Sequence, residues 1–130
     1  MASKTFDILG LIAENEAVTA TASCTGANIK GLALGSASYV VVINNGVSTG
    51  TVDVSNYYNL RVEVSDAVGG TYVSIGEAIA LPATAGQSQI GFSSEQLERL
   101  TVGADFFRIT ATKVGTTATA VTYTAFVSKI

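Results

Sequence analysis

The sequence predicts an all-β domain, a jelly roll or β-sandwich of about eight strands with one short helix, and three observations predict it. Short runs alternate apolar and polar residues with period two, clusters of Gly, Asn, Ser and Thr separate those runs, and only one stretch pairs a helical pattern with its own start signal. At 130 residues the chain has the size of one domain and needs no second core.

Met1 to Glu16 reads as an N-terminal arm whose apolar residues are Phe6, Ile8, Leu9, Leu11 and Ile12, and residues 17–130 read as the β domain. Asp7 interrupts the apolar stretch too early for a signal peptide. Phe6, Leu9 and Ile12 share helical spacing, although Gly10 weakens a helix there. Val18, Ala20, Ala22 and Cys24 then alternate with Thr19, Thr21 and Ser23, which predicts a half-buried strand with Cys24 inward.

Tyr39 to Ile43 does not alternate, so that strand is expected to be covered on both faces, by a second sheet or by a neighbouring subunit. Asn45-Gly46 supplies residues that suit the positive φ angles of a tight turn. Leu60, Val62 and Val64 alternate with Arg61, Glu63 and Ser65, and Gly69-Gly70 turns that strand into Tyr72, Val73 and Ile75 as a hairpin. Pro82 closes the run Ile79-Ala80-Leu81 because proline donates nothing to a ladder, and Gln89-Ile90-Gly91-Phe92 is a short strand. Ser93 precedes Gln96 by three residues, a capping-box spacing, with Leu97 and Leu100 on one face of a helix of about two turns. Phe107, Ile109 and Ala111, then Val121, Tyr123, Ala125 and Val127, form two alternating strands, and Val114-Gly115-Thr116-Thr117 between them reads as a hairpin turn.

Catalytic chemistry is expected to be absent. The chain has no His and no Trp, which removes the commonest general base and transition-metal ligand. Cys24 has no imidazole to activate it and reads as a small buried hydrophobe; a single cysteine also needs no oxidising compartment. Glu14 with Glu16, and Glu95 with Glu98, are the carboxylate pairs to weigh for acid–base work. The first pair ends the arm, and the second lies early in the short helix, where acids favourably meet the helix dipole. Asp53, Glu63, Asp66 and Asp105 are scattered and lack calcium-loop spacing, and Gly31 to Gly35 lacks the lysine of a phosphate loop. No enzyme, cofactor or metal is therefore expected. The net charge of −3 gives no drive toward nucleic acid or anionic membrane, and the longest apolar run, Tyr39 to Ile43, is far short of the roughly 20 residues of a spanning helix.

The informative feature is missing charge. From Ala17 through Val52 the only charged side chain is Lys30, and from Ala78 through Ser94 there is none. Interface cores are depleted in Lys, Glu and Asp, so the pattern favours a subunit that associates. The candidate assembly contacts are Phe6, Ile8, Leu9, Leu11 and Ile12 of the arm, with Tyr39 and Val41.

Asp7-Ile8-Leu9, Leu60-Arg-Val-Glu-Val-Ser65, Tyr72-Val-Ser-Ile-Gly-Glu77, Gln89-Ile-Gly-Phe92, Ala104-Asp-Phe-Phe-Arg-Ile109 and Tyr123-Thr-Ala-Phe-Val127 together resemble the small jelly-roll capsid decoration, or cement, proteins of tailed bacteriophages. The resemblance implies a structural virion protein, made in the host cytoplasm, that sits as a homotrimer on the exterior of the head, binds the major capsid protein and stabilises the shell. It carries over no active site and no contact residues. The residues themselves leave two other classes open: a carbohydrate-binding adhesin or tail-fibre domain using Tyr57, Tyr58 and Tyr72, and a self-assembling shell or tube subunit.

Overall fold

The computed structural model describes residues 10–29, 38–101 and 103–129. Ten strands and one helix are found among them: β1 (Leu11–Val18), β2 (Ala22–Ser23), β3 (Ala27–Asn28), β4 (Ser38–Asn45), β5 (Thr49–Gly50), β6 (Tyr57–Ser65), β7 (Val73–Ala80), β8 (Gly86–Ser93), α1 (Ser94–Leu100), β9 (Phe106–Val114) and β10 (Ala118–Lys129). They form two antiparallel five-stranded sheets. One runs β1-β10-β4-β8, with β5 also on β10; the other runs β2-β9-β6-β7, with β3 also on β9.

The pairings are nested. The first strand pairs with the last, β2 and β3 with β9, β4 with β8, and β6 with β7. A long hairpin rolled up on itself gives this order, which is the jelly roll, and the sequence-based fold class holds.

Period-two burial builds the core. Along β6, Tyr58, Leu60, Val62 and Val64 are buried while the residues between them face outward. Tyr39, Val41 and Ile43 of β4 and Tyr123, Ala125 and Val127 of β10 meet them from the first sheet, joined by Ile75, Phe92, Leu97, Phe107 and Ile109. Phe92 links the two sheets, its ring 5.6 Å from Tyr39 and 5.7 Å from Phe107. Tyr39 to Ile43 is buried on both faces, as its lack of alternation predicts: Val40 and Val42 point away from the core and cluster with Phe126.

Four expectations need correction. Leu11 to Glu16 is not arm but most of β1, the edge strand of the first sheet, so any arm is confined to residues outside those described. Its alternation is broken because register shifts flank Ala13, and Asn15 takes a left-handed φ of 47°. Val18 to Cys24 is not one strand either. The chain bends at 19–21 to cross from the first sheet to the second, leaving Ala20 and Ala22 exposed, while Cys24 is buried as expected. Val114 to Thr117 turns the chain but makes no hairpin, since β9 and β10 belong to different sheets. Asn45-Gly46 takes no positive φ; Gly46 N–H instead donates to Thr122 C=O, 2.8 Å away, and the chain continues along β10.

The Gly69-Gly70 hairpin between β6 and β7 forms as predicted, and so does the helix. Ser93 caps it, its Oγ accepting from Gln96 N–H at 3.1 Å, and Leu97 seats it on the core.

Candidate assembly surface

The two charge-poor stretches of the sequence become neighbours in space. β4 lies in the first and β8 in the second, and they pair along eight positions from Ser38↔Ser93 to Asn45↔Gly86. β10 flanks β4 on the other side, and its only charged residue is the terminal Lys129. Three adjacent strands of the first sheet therefore carry almost no charge. The second sheet differs, with Arg61 and Glu63 on β6, Glu77 on β7, and Arg108 and Lys113 on β9.

The outward face of the first sheet has two zones. Val40, Val42 and Phe126 form the buried apolar cluster, with Leu11 opposite Phe126 and half-buried. Beyond it lie Asn44, Gln87, Gln89, Thr122 and Thr124, the first three tied by hydrogen bonds from Gln87 Nε2 to Asn44 Oδ1 (2.9 Å) and from Gln89 Nε2 to Gln87 Oε1 (3.1 Å). Asn15, Asn44, Asn45, Gly46, Thr122, Tyr123 and Thr124 enclose an open, uncharged cleft of about 280 Å³ between β1, β10 and β4.

The neutral zone runs on to one end of the sandwich, where the connections 19–21, 46–56, 81–85 and 115–117 gather. Asp53 is the only charged residue in all four. Backbone bonds hold them together, from Ser48 N–H to Ala83 C=O (3.0 Å) and from Thr51 N–H to Thr117 C=O (2.9 Å). Asn56 is the clamp: its Oδ1 accepts from the N–H groups of Thr116 and Thr117, while its Nδ2 donates to Asp53 Oδ1 at 2.9 Å. Those bonds, with Ser55 N–H, hold the Asp53 carboxyl below the usual aspartate range. Val47 and Val54 project from this end, and Val54 is 95% exposed.

The candidate contacts fare unevenly. Ile12, Tyr39 and Val41 are buried in the domain's own core and have no side-chain surface to offer a partner; they looked adhesive because core and interface draw on the same residue types. Leu11 keeps part of its surface, and Phe6, Ile8 and Leu9 lie outside the described residues. Val47, Val54 and the Asn–Gln–Thr face were not among the candidates, since single loop valines and isolated polar residues give no sequence signal until the fold places them.

The residues weighed for chemistry are not brought together. Glu14 and Glu16 lie along β1, Glu95 pairs with Arg99 on the helix surface, and among the described residues no three His, Cys, Asp or Glu side chains gather as a metal ion would require. Cys24 accepts from Ile109 N–H at 3.2 Å and is hydrogen-bonded by the Tyr123 hydroxyl; burial pushes both the thiol and the phenol above their ordinary pKa values. No described helix is long and apolar enough to cross a membrane.

Fold and surface together define a class: a jelly-roll β-sandwich in which three adjacent strands of one sheet, β10, β4 and β8, are almost free of charge. Neither a protein-family model nor a curated protein matches the chain.

Proposed function

We propose that the protein is a structural component of a virion, a decoration protein whose charge-poor strands and loop end bind the outside of a phage head and its own sister copies. The observation that carries the reading is the uneven placing of charge, with β10, β4, β8 and the adjoining loops nearly free of it while Arg61, Glu63, Glu77, Arg108 and Lys113 stand on the strands of the opposite sheet. An uncharged face is costly to specify on a protein that stays alone, because Lys and Glu give solubility; on a subunit it removes the desolvation penalty of burying ions. The reading also rests on the resemblance of the strand sequences to capsid decoration proteins, from which the trimer, the major capsid protein as partner and the exterior location are taken. Sister copies and the capsid share the neutral surface between them, the loop end with Val47 and Val54 facing one and the sheet the other.

Two measurements test this. Light scattering of the purified protein is expected to give three times 13.3 kDa, with little salt dependence because few ions take part. Mass spectrometry of purified virions is expected to find the chain at a copy number comparable with the major capsid protein. A strict monomer that is absent from virions overturns the proposal.

A further inference from the structure

The charged sheet holds a second feature. β7 bulges away from β6: Leu60 pairs with Ile79 and Val62 with Ile75, so Gly76, Glu77 and Ala78 together stand opposite Arg61 alone. Gly76 makes this possible with a φ of +65°, a conformation that a side chain disfavours. Where the ladder opens, a cleft of about 240 Å³ forms, lined by Asn59, Arg61, Glu63, Ala78, Thr110 and Thr112. Bulges of this kind commonly re-aim side chains at binding sites.

The lining is organised. Glu63 Oε1 already accepts from Arg108 Nε at 2.8 Å and from the Thr110 hydroxyl, which fixes the carboxylate. Arg108 is itself held, its guanidinium carbon 3.9 Å above the centre of the Tyr72 ring. Arg61, on the same face two residues from Glu63, is exposed and has no ion pair among the described residues. Asn59 and then Tyr57 continue that face, each half-buried.

We propose that this cleft binds a neutral saccharide. It presents a fixed carboxylate acceptor, a cationic donor, an amide that does both and the Thr112 hydroxyl, the Thr110 hydroxyl being engaged by Glu63 and Ser23, which matches ligand hydroxyls that must each donate and accept. Arg61 counts against cations and the polar lining counts against an apolar ligand, while Glu63, its charge already answered by Arg108, is left as an acceptor for a ligand hydroxyl. The volume is at the small end of ligand sites, suited to a single sugar unit, and Tyr57, two residues from Asn59 on the same strand face, supplies an aromatic ring further along that face. The site faces away from the neutral sheet, so a decoration subunit seated by that sheet would hold the cleft toward solvent.

The test is a titration of the full, isotope-labelled chain with glucose, galactose, mannose and N-acetylglucosamine and their disaccharides, up to roughly 100 mM, followed by amide NMR shifts; small ligands with few contacts reach only millimolar affinity. At least one sugar is expected to shift the amides of Asn59 to Glu63, Gly76 to Ala78 and Thr110 to Thr112. Arg61→Ala, at an exposed position where folding is not at risk, is expected to weaken that binding by about tenfold or more, and Tyr57→Ala to weaken it severalfold. No shift with any sugar, shifts confined to other strands, binding of charged sugars only, or unchanged binding by Arg61→Ala would each overturn the proposal.

Discussion

Two buried tyrosines offer a matched experiment on the core. Tyr58 on β6 is 1% exposed and Tyr123 on β10 is 2% exposed. They differ at the hydroxyl: that of Tyr123 is hydrogen-bonded to Cys24, whereas that of Tyr58 has no partner among the described residues. A buried hydroxyl left unpaired costs about 1–3 kcal/mol of desolvation, while a paired one returns a net contribution of about 1 kcal/mol. Tyr58→Phe removes the stranded oxygen and leaves only a small gap, so it is expected to stabilise the fold by about 1 kcal/mol. Tyr123→Phe loses its bond and also strips a partner from the thiol, so it is expected to destabilise by about 1 kcal/mol. Unfolding entropy near the midpoint is about 2.1 cal/mol/K per residue, or about 0.27 kcal/mol/K for this chain, so each change moves Tm by about 4 °C, in opposite directions. Differential scanning calorimetry of the two variants reads this directly. A Tyr58→Phe protein that melts below the wild type refutes the reasoning, because it requires a good partner for the hydroxyl.

Other predictions follow from the same geometry. Cys24 and Tyr123 hold their protons more tightly when folded, so the stability they contribute is complete below the unfolded values of 9.0 and 10.0 and is lost as pH rises through the higher folded values. Tm should therefore be flat from neutrality to about pH 9 and fall beyond it, and a scan of Tm against pH checks this. Cys24 should react slowly with a bulky thiol reagent in the native protein and quickly in urea, and equal rates would contradict its burial. Gly115→Ala should cost about 1–3 kcal/mol in a denaturant melt, since φ there is +77° and an added Cβ would collide with Asn56 Oδ1 and Ser55 C=O. On the proposed docking, Thr122→Arg, exposed on the neutral face, should leave Tm within a degree or two while abolishing binding to capsids in a cosedimentation assay; undiminished binding would move the docking surface elsewhere.

Local pattern made some of the fold legible. The alternation of Leu60, Val62 and Val64, the glycine pair after it, and the Ser93 cap all lie where the sequence puts them, because each depends on neighbours a few residues away. The edge strand β1 was hidden because Glu14-Asn15-Glu16 occupies a stretch of shifted register with a left-handed residue, where period two fails. The connection after Val114 was misread for a different reason. Turn residues report that the chain reverses, not which sheet the next strand joins, and here it crosses the sandwich. The surface divides the same way. The absence of charge is plain in the sequence, but only the pairing of β4 with β8 makes two distant stretches into one face. The polar cleft is less legible still, since it arises where three residues of β7 oppose one of β6, and nothing in Gly76-Glu77-Ala78 announces an offset.

The place of β10 has a bearing on how the molecule comes into being. It sits between β1 and β4 in the neutral sheet and pairs with the earliest described strand along nearly the whole separation of the domain. Contacts so distant in sequence form slowly, and a chain emerging from the ribosome cannot make them until β10 is out. β4 and β8 can zip together beforehand, but the sheet has no middle, and the apolar cluster lacks Phe126. That face exists only once β10 is in place, so it has nothing complete to offer a neighbour until β10 has been made and has docked between β1 and β4.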